Sequence, residues 1–560
     1  MDSYLLNNAV AGRDELLFVP LGGAGEIGMN LNLYGYGGKW VMVDLGVTFG
    51  EDAVPGVEVV MPDPSFIVER RHELLGLVLT HAHEDHIGAV PHLWRRLRCP
   101  IYATPFTASV LRRKLEEVGL VKEAVITEVP LSGCFSLGPF GFELVTLTHS
   151  IPEPNALAIR TPAGLVLHTG DWKFDPEPLI GAVSDEAALR ALGEEGVLAL
   201  IGDSTNAFRA GEAGSEADVR RSLTELIGRY KNRVAVACFA SNVARLESIA
   251  AAAAEHDRDV ALVGRSLWRM VEAARENGYL KDTPPFVKPE EADYIPKDKL
   301  LLLCTGSQGE PRAALSRIAG DSHHQVVMEE GDAVIFSSRI IPGNEKAIFR
   351  LQDQLIRRGI EVITEEDHFV HVSGHPARDE LARMYAHVRP RIAVPVHGEL
   401  RHLIEHAALA RNCQVPQALV VENGAVVRLG PGGEAAIIDR VPVGRLGLDG
   451  NRLVPLDSAS LRERRRIVHQ GMAVATLVAD AAGTLKSDPV VSLHGLADGE
   501  HEAELIEAVK DAIRTAVEGM PAGAKRDDTA MREVARLAAR KKLNTALKRK
   551  PVTEIHLVRV

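Results

Sequence analysis

The sequence is poor in cysteine, and its cysteines are neither paired nor clustered. The five are Cys99, Cys134, Cys238, Cys304 and Cys413, and no Cys-x-x-Cys motif occurs. An odd, scattered set is typical of a reduced protein with buried thiols, so we expect a cytoplasmic location. The same pattern argues against a disulfide framework and against a metal site built from cysteines.

Long hydrophobic runs are also missing. No apolar run approaches the roughly 20 residues that cross a bilayer. Residues 1–14 lack the basic head and apolar core of a secretion signal, so we expect no signal peptide. We therefore expect neither membrane insertion nor secretion.

Positive charge is not in excess. The chain has 64 Lys and Arg against 76 Asp and Glu, which gives a formal net charge of -12. This balance argues against a protein that coats nucleic acid nonspecifically. It does not exclude a nuclease, because binding needs only a locally positive groove, and bound metal ions add charge that the count omits.

The length of 560 residues is too great for a single compact core, so we expect several domains. Segments 1–205 and 365–440 share strands that end in polar residues, and we expect them to form one domain in two parts. Between them, in 206–364, helical periods alternate with short apolar strands, which predicts an inserted parallel sheet flanked by helices. Segment 441–460 is rich in turn residues and is expected to be a linker before a small C-terminal domain, 461–560.

The most informative stretch is His-Ala-His-Glu-Asp-His at 81–86, which follows a short apolar run. A strand that ends in a loop would direct these side chains into one space. Imidazole and carboxylate groups together suit divalent metals such as Zn²⁺ or Mn²⁺. The spacing can serve two metals, with His81 and His83 on one and Asp85 and His86 on the other. A solvated polar loop is the alternative, but ligand-type side chains at this spacing are seldom incidental.

Polar residues follow several other strand signals in the same way. Together with the first stretch, the positions are Asp44, His81, His149, Asp171, Asp203 and His397. In layered α/β folds, chemistry gathers beyond the carboxyl ends of the strands. Each residue alone would more often be a structural polar group, but their joint placement indicates a shared site.

We expect two metal ions that share one carboxylate. The expected ligands are His81, His83 and His149 for the first metal, Asp85, His86 and His397 for the second, and Asp171 as the bridge. Paired metals about 3.5–4 Å apart can share a hydroxide, a strong nucleophile that can attack a phosphodiester in line. Asp44 more plausibly accepts the far N–H of a ligand imidazole and fixes its orientation.

A second motif follows further along the chain. It consists of His371, Val372, Ser373, Gly374, His375 and Pro376. A helix is expected at 377–388 with Pro376 in its first turn, so the loop would lie at a helix N-terminus, where free N–H groups bind phosphate. Ser241 and Asn242 open another helix after a strand, and they either bind substrate in the same way or only cap the helix.

Together these motifs resemble those of the metallo-β-lactamase superfamily and, within it, the β-CASP nucleases. The superfamily motifs correspond to Asp44, residues 81–86, His149 and Asp171. The β-CASP motifs A, B and C correspond to Asp203, to His375 in His-Val-Ser-Gly-His, and to His397 in Pro-Val-His-Gly-Glu. The sequence is most similar to bacterial ribonucleases J, whose Gly-Glu-Ile-Gly, Gly-Asp-Ser-Thr-Asn, Thr-Gly-Ser-Gln-Gly-Glu-Pro and Pro-Gly-Asn-Glu stand at 25–28, 202–206, 305–311 and 342–345.

The resemblance implies a metallo-β-lactamase αββα sandwich with an inserted β-CASP parallel α/β domain and a small C-terminal α+β domain. It implies two Zn²⁺ per chain, with Mn²⁺ or Mg²⁺ as substitutes. A structural cation such as Ca²⁺ is also implied, with Asp449 as a weak candidate ligand. Homodimers or homotetramers and RNA-decay partners are typical of such enzymes.

The implied activity is 5′→3′ exonucleolytic degradation of single-stranded RNA with a 5′-monophosphate, together with internal cleavage, in mRNA decay and rRNA maturation. Asp203 and His375 would transfer protons, in an order that remains open, and they join Asp85 as catalytic residues. The 371–375 loop would hold a substrate phosphate. DNA-directed β-CASP enzymes typically lack a histidine at motif C, so His397 favours RNA.

Two other functions are compatible with parts of the sequence. One is a hydrolase of small thioesters or esters, but such a substrate needs neither the insertion at 206–364 nor a phosphate-binding loop. The other is a non-catalytic subunit of an RNA-processing assembly, against which the complete set of ligand-type residues argues.

Overall fold

The computed structural model describes residues 14–50, 54–431 and 434–560. They form two compact units, each made of two segments. The first unit has the bounds Met1–Thr48 and Met61–Gly444, and the second has the bounds Phe49–Val60 and Arg445–Val560. Residues 1–13, on which the prediction of no signal peptide mainly rests, lie outside the described part. Within that part, no helix combines the length and the apolar composition needed to cross a membrane.

The first unit is organised around two sheets that pack face to face. In sheet order, the strands of the first sheet are Ala436–Arg440, Ala425–Gly430, Leu16–Gly22, Leu31–Tyr36, Lys39–Val43, Leu74–Val78, Ile101–Ala103 and Ile126–Glu128. Those of the second sheet are Cys134–Leu137, Phe140–Thr146, Asn155–Thr161, Gly164–His168, Val197–Asp203, Ile392–Val396 and Gln417–Ala418. Phe18, Val41, Phe142 and Ile201 are among the side chains of the shared core.

Helices cover the outer faces of both sheets. The side chains of a strand alternate between its two faces, so each strand also has outward-facing side chains that the helices bury. Ile201 points into the layer between the sheets, whereas Leu200 packs outward against helices. On the other sheet, Trp40 contacts Phe66 of an outer helix. The helices of this sandwich are Ser65–Val68, Glu84–Ile87, Val90–Leu97, Pro105–Glu117, Glu186–Glu195, Arg378–Val388 and Leu400–Asn412. The predicted αββα sandwich is confirmed.

A parallel sheet with its own helices is inserted into this sandwich. Its strands, in sheet order, are Asp259–Val263, Leu300–Cys304, Val234–Ala237, Ala333–Phe336 and Glu361–Ile363. Its helices are Glu216–Ile227, Val243–Glu255, Arg265–Glu276, Ala314–Ala319 and Glu345–Arg357, with short 3₁₀ turns at Pro289–Tyr294 and Lys297–Lys299. Parallel strands covered on both faces need continuous apolar runs. Leu300–Cys304 is such a run, and all of its residues are buried.

The second unit ends the chain. Its sheet has the order Val490–His494, Met472–Ala479 and Val552–Arg559, and its helices are Ala459–Gln470, Gly499–Glu518, Ala522–Lys525 and Asp528–Leu547. Helix Asp528–Leu547 buries every fourth residue from Met531 to Leu543, which gives it one apolar face for the core. Short strands at Thr48–Phe49 and Val59–Pro62 form a four-stranded sheet with Arg445–Asp449 and Arg452–Pro455.

Segment 441–460, predicted to be a linker, holds regular structure. Strands Arg445–Asp449 and Arg452–Pro455 pair as an antiparallel hairpin, and Gly450 supplies the positive φ of +60° that its turn requires. Glycine and turn residues are as typical of a tight hairpin as of a flexible linker, so composition alone does not separate the two.

Asp449 does not have the environment of a cation ligand. Its two carboxylate oxygens accept hydrogen bonds from Arg464 at 2.9 and 2.8 Å. A guanidinium therefore occupies the place that a structural cation would take, which corrects the expectation from the sequence.

The helix after the 371–376 motif also begins later than predicted. It starts at Arg378, and Ala377 is its N-cap with an extended backbone. The Glu380 carboxylate accepts a hydrogen bond from the Ala377 N–H at 2.8 Å and so caps the helix from within. Pro376 thus precedes the helix and does not lie in its first turn.

Candidate metal centre

The residues with metal-ligand chemistry gather at one edge of the two sheets. Neighbouring strands of the second sheet, at 164–168, 197–203 and 392–396, run parallel, so their carboxyl ends meet there. Each candidate ends a strand or follows one within three residues, and all are buried. They are Asp44, His81, His149, Asp171, Asp203 and His397.

The first cluster joins three imidazoles and one carboxylate. His83 Nδ1 lies 3.1 Å from His81 Nε2 and 3.0 Å from His149 Nε2. Asp171 Oδ2 lies 3.8 Å from His81 Nε2 and 4.0 Å from His149 Nε2. These four side chains come from three separate segments, and their ligand atoms face one common point.

The second cluster shares Asp171 with the first. Asp171 Oδ2 lies 3.2 Å from His86 Nε2 and 3.5 Å from His397 Nε2. Asp85 Oδ2 is 3.6 Å from each of the same two nitrogens. The two groups predicted from the sequence are therefore brought together in space, with Asp171 between them.

The donor set fits divalent cations. Burial lowers the pKa of His83 to about 4 and holds the pKa of His81 well below its ordinary value, so both rings keep a lone pair for a metal. Ligand atoms about 2.1 Å from a tetrahedral ion lie about 3.4 Å apart, and the separations above are of this order. Among the described residues, buried Asp171 Oδ1 has no hydrogen-bond partner, as expected of an oxygen reserved for an ion.

Asp44 lies against one of the imidazoles. Its Oδ2 lies 2.7 Å from His86 Nδ1 and accepts the Thr80 hydroxyl at 2.8 Å. Its Oδ1 accepts the Thr80 N–H at 2.8 Å. A carboxylate that accepts Nδ1–H makes Nε2 the lone-pair nitrogen of the neutral ring, which is the tautomer that a metal ligand needs. Although burial disfavours the imidazolium, the carboxylates of Asp171, Asp85 and Asp44 outweigh it and raise the pKa of His86 well above its ordinary value.

Three other imidazoles have comparable partners on the nitrogen away from the centre. His81 Nδ1 lies 3.0 Å from the Thr80 hydroxyl, and His397 Nδ1 lies 3.1 Å from Asn30 Oδ1. His149 Nδ1 lies 2.5 Å from the Gly374 carbonyl oxygen. Thr80, Asn30 and the Gly374 carbonyl were not predicted in this role.

Two site residues adopt backbone conformations that are uncommon for side-chain-bearing residues. Asp44 has a φ of 63° and His397 a φ of 53°. Tertiary hydrogen bonds fix both backbone conformations. The Asp44 N–H donates to the Val78 carbonyl at 3.0 Å, and the His397 N–H donates to the Gly23 carbonyl at 2.6 Å. Such strain persists where the surroundings fix the geometry and is concentrated at functional sites. The glycine-rich turn at 22–28 therefore lies beside the centre.

His375 and Asp203 form a separate pair at the rim of the centre. His375 Nδ1 lies 2.8 Å from Asp203 Oδ2 and 3.8 Å from Asp171 Oδ2. Burial disfavours the imidazolium, but the charges of Asp203 and Asp171 outweigh it and raise the pKa of His375 to about 9. The two residues assigned to proton transfer are thus in direct contact.

The 371–375 loop is held from several sides. Asn206 Nδ2 donates to the Ser373 hydroxyl at 2.8 Å and to the His375 carbonyl at 2.9 Å. On the other side, the guanidinium of Arg245 donates to the carbonyl of Val370, just before the loop, at 3.0 Å. The loop is therefore preorganised by residues that are far from it in sequence.

Two buried side-chain nitrogens near this loop stand out. His371 Nδ1 and Arg209 Nη1 are buried, and neither has a hydrogen-bond partner among the described residues. Burial and then the positive charges of Arg245 and Arg339 hold the pKa of His371 well below its ordinary value. A neutral imidazole among cationic side chains is suited to an anionic ligand.

Asn242 and Ser241 have a different environment. Asn242 Oδ1 accepts the N–H of Arg245 at 2.9 Å and caps helix Val243–Glu255, which is the structural role left open by the sequence. Within the described residues, no side-chain hydrogen bond connects Ser241 with the 371–375 loop, so its place in substrate binding stays a prediction.

Asn206 and Arg245 were not identified as site residues from the sequence. Asn206 stands in the motif at 202–206, three positions after Asp203, so its proximity to the strand end was a usable signal. Arg245 gave no such signal, because an arginine on a helix is ordinarily solvated, and its partners lie on three other segments.

Comparison with known protein families covers most of the chain. Residues 29–226 match the metallo-beta-lactamase superfamily, and 231–355 match the family described as "Ribonuclease J, beta-CASP domain". Residues 359–419 match the "Zn-dependent metallo-hydrolase RNA specificity domain", and 459–560 match the "Ribonuclease J C-terminal domain".

Individual relatives agree with these matches. The chain is 45% identical over 552 residues to the ribonuclease J of Sinorhizobium meliloti, and the match covers 98% of each chain. The chain belongs to the ribonuclease J family. Identity is 39% over 542 residues to the Mycolicibacterium smegmatis ribonuclease J, with 96% of each chain covered. It is 37% over 519 residues to the Thermus thermophilus ribonuclease J, with 90% of this chain and 89% of that relative covered. The resemblance found in the sequence motifs is confirmed.

Proposed function

We propose that this protein is a metal-dependent ribonuclease that degrades single-stranded RNA from a 5′-monophosphate end and also cuts internally. Its relatives carry the name ribonuclease J, and residues 359–419 match an RNA specificity domain. The convergence of ligand atoms from positions 81 to 397 around Asp171 is the observation that supports this function most directly.

Two zinc ions are the cofactors that we propose. His81, His83 and His149 would hold one, Asp85, His86 and His397 would hold the other, and Asp171 would contact both. When bound, such ions supply a nucleophile from water at neutral pH and neutralise the charge of a phosphodiester. Mn²⁺ or Mg²⁺ remain alternatives, since the carboxylates of Asp85 and Asp171 suit harder ions as well.

Asp203 and His375 would carry the proton transfers. The Asp203 carboxylate accepts the Nδ1–H of His375, so that Nε2 is the nitrogen available to substrate. Asp203 thereby fixes the orientation of the ring and stabilises its imidazolium form. A proton on Nε2 would pass to the leaving oxygen as the phosphodiester bond breaks.

The 371–375 loop would hold the terminal phosphate of the substrate. Asn206 fixes the position of Ser373 and His375, and the unpartnered Nδ1 of His371 is available to an anion. A phosphate held at a fixed distance from the scissile bond would favour removal of nucleotides from the 5′ end. We infer that Arg209, with its unpartnered Nη1, adds positive charge on this side.

The test uses one labelled RNA prepared with either a 5′-monophosphate or a 5′-hydroxyl end. With Zn²⁺, Mn²⁺ or Mg²⁺ present, we expect the first to be shortened from its 5′ end faster than the second. Asp85→Ala should abolish both reactions, because it removes a ligand of one ion. If wild type and Asp85→Ala act alike on RNA, the proposed function fails.

The same preparation distinguishes the other hydrolytic function. A small thioester offered at matched concentration should be hydrolysed far more slowly than RNA, because such a substrate cannot use the 371–375 loop. Faster hydrolysis of the thioester would reverse the assignment of substrate class. We also infer a cytoplasmic location from the scattered thiols, of which Cys99, Cys238 and Cys304 are buried.

A further inference from the structure

A hydrogen bond joins the proposed phosphate loop to the first metal cluster. The Nδ1–H of His149 points at the Gly374 carbonyl oxygen, and the two atoms are 2.5 Å apart. On the opposite side of the same ring, Nε2 lies 3.0 Å from His83 Nδ1, within the first cluster. One imidazole therefore touches both the metal centre and the loop.

Gly374 and the His149 ring are packed so closely that a side chain at position 374 would not fit. A Cβ atom on Gly374 would lie 2.5 Å from Cε1 and 2.6 Å from Nδ1 of the His149 ring. The His149 ring also lies against the His375 ring, with centroids 5.3 Å apart. A displacement of Gly374 would thus move a metal ligand and the proton-transfer histidine together.

We propose that metal binding at the His81, His83 and His149 cluster and phosphate binding at the 371–375 loop strengthen each other through the bond between His149 and Gly374. This inference rests on the proposed function, because it takes the loop to be the seat of a terminal phosphate. A cation on Nε2 draws electron density from the ring and makes Nδ1–H a stronger donor. It therefore stabilises the loop conformation in which the Gly374 carbonyl faces His149.

A terminal phosphate would stabilise the same loop conformation from its other side. Two ligands that favour one conformation must raise each other's affinity by the same factor. The enzyme would then hold its first metal most tightly when RNA is in place. Free enzyme would lose that metal more readily than enzyme bound to substrate.

The test measures metal affinity in the full-length chain. The protein is stripped with a chelator and titrated with Co²⁺, whose visible absorption reports binding to imidazole ligands. The titration is repeated with saturating uridine 5′-monophosphate and with uridine, which lacks the phosphate. We expect the monophosphate to increase the Co²⁺ affinity of the wild type about tenfold and uridine to leave it unchanged. Calorimetry should show Co²⁺ increasing the monophosphate affinity by the same factor.

Gly374→Ala probes the contact itself. The added Cβ would push the His149 ring away from the Gly374 carbonyl. It should therefore weaken Co²⁺ binding by about 10–100-fold, the usual cost when a ligand histidine loses its partner. It should also remove the effect of the monophosphate. Gly141→Ala is the matched control, because a Cβ there meets nothing closer than 3.8 Å, and it should behave as the wild type does.

Several results would overturn the inference. One is a Co²⁺ affinity that the monophosphate does not change in the wild type, including the case in which it does not bind at all. Another is a monophosphate effect of equal size in Gly374→Ala, which would mean that the phosphate acts on the ions directly. RNA degradation by the same wild-type sample separates the two proposals: if RNA is degraded, only the coupling fails.

Discussion

Single residues at this centre are constrained from two directions. Each of His81, His86, His149 and His397 offers one nitrogen to the cluster and has a hydrogen-bonding partner on the other. His375 differs, because its Nδ1 is held by Asp203 at 2.8 Å, and these two residues are grouped with His397 and not with the two clusters around Asp171. This difference separates residues that would hold metal from one that would move a proton.

Asp203→Asn tests that separation. Loss of the carboxylate beside His375 Nδ1 removes the charge that stabilises the imidazolium, so we expect the kcat for RNA cleavage to fall by about 10²–10⁴-fold. The metal content should stay at the wild-type level. Both are measured on one purified sample, by cleavage kinetics and by elemental analysis.

His387→Gln is the control for this substitution. It removes a histidine that pairs with a carboxylate, Glu186, at 2.7 Å but lies outside the centre. Its cleavage rate should remain close to that of the wild type. A comparable fall in both variants would contradict the role assigned to Asp203.

Asn206→Ala tests how the loop is positioned. The substitution removes the donors to Ser373 Oγ and the His375 carbonyl and leaves both acceptors in a buried setting, at about 1–3 kcal/mol for each lost bond. We expect the kcat/KM for 5′-monophosphate RNA to fall by about 10–100-fold, while internal cleavage falls less. Equal losses in the two reactions would show that Asn206 supports the centre as a whole and not the terminal-phosphate loop.

At the scale of elements, a buried ion pair joins the inserted sheet to the loop. Arg245, on helix Val243–Glu255, and Glu216, on helix Glu216–Ile227, form two hydrogen bonds at 3.0 and 3.2 Å, and both side chains are fully buried. The same guanidinium donates to the Ser337 carbonyl and to the Val370 carbonyl. Its position thus links two helices, a strand end and the start of the 371–375 loop.

Glu216→Gln should destabilise the protein strongly. It leaves the Arg245 charge buried without a counter-charge, which costs about 3–5 kcal/mol. The free energy of unfolding is measured by urea denaturation. Glu225→Gln, on the same helix as Glu216, removes an exposed partner of Arg229 and should cost about 0.5 kcal/mol or less. Similar losses in both variants would contradict the importance of burial.

The elements that carry the centre could be predicted because each combines two local signals. An apolar run predicts the buried strand, and a histidine or aspartate at its end predicts the ligand, as at His81 and His397. Apart from Asp44, the partners of the ligands gave no local signal. Asn30 is an ordinary amide after a turn, and it reaches His397 only because the chain folds back over 367 positions.

The C-terminal region shows a related limit. Strand Val552–Arg559 was not predicted, because polar and apolar residues alternate in only part of its length. Its pairing with Met472–Ala479 is parallel and distant in sequence, so neither strand indicates the other. The hairpin at Arg445–Pro455 was missed because its glycines fit a linker equally well. Pairing across long separations is decided by tertiary contacts, which composition does not report.

At the scale of the whole molecule, bound metal should contribute to stability. Seven ligand-type side chains from positions 81 to 397 enclose the centre, and they belong to the first compact unit. A ligand present at about 100 times its Kd stabilises a folded protein by about 2.7 kcal/mol. Removal of metal by a chelator should therefore lower a calorimetric transition temperature, and added Zn²⁺ should restore it. An unchanged thermogram would contradict a metal-bound folded state.

The proposed mechanism requires above all that these dispersed side chains hold the ions with which RNA is cut. The most direct test is the metal content per chain of wild type and Asp171→Asn, determined on the samples whose RNA cleavage is assayed. We expect about two ions and active cleavage for the wild type, because Asp171 faces both clusters, and loss of cleavage with less than about one ion for the variant. A variant that keeps both its ions and its activity, or a wild type that cuts RNA without bound metal, would contradict the account.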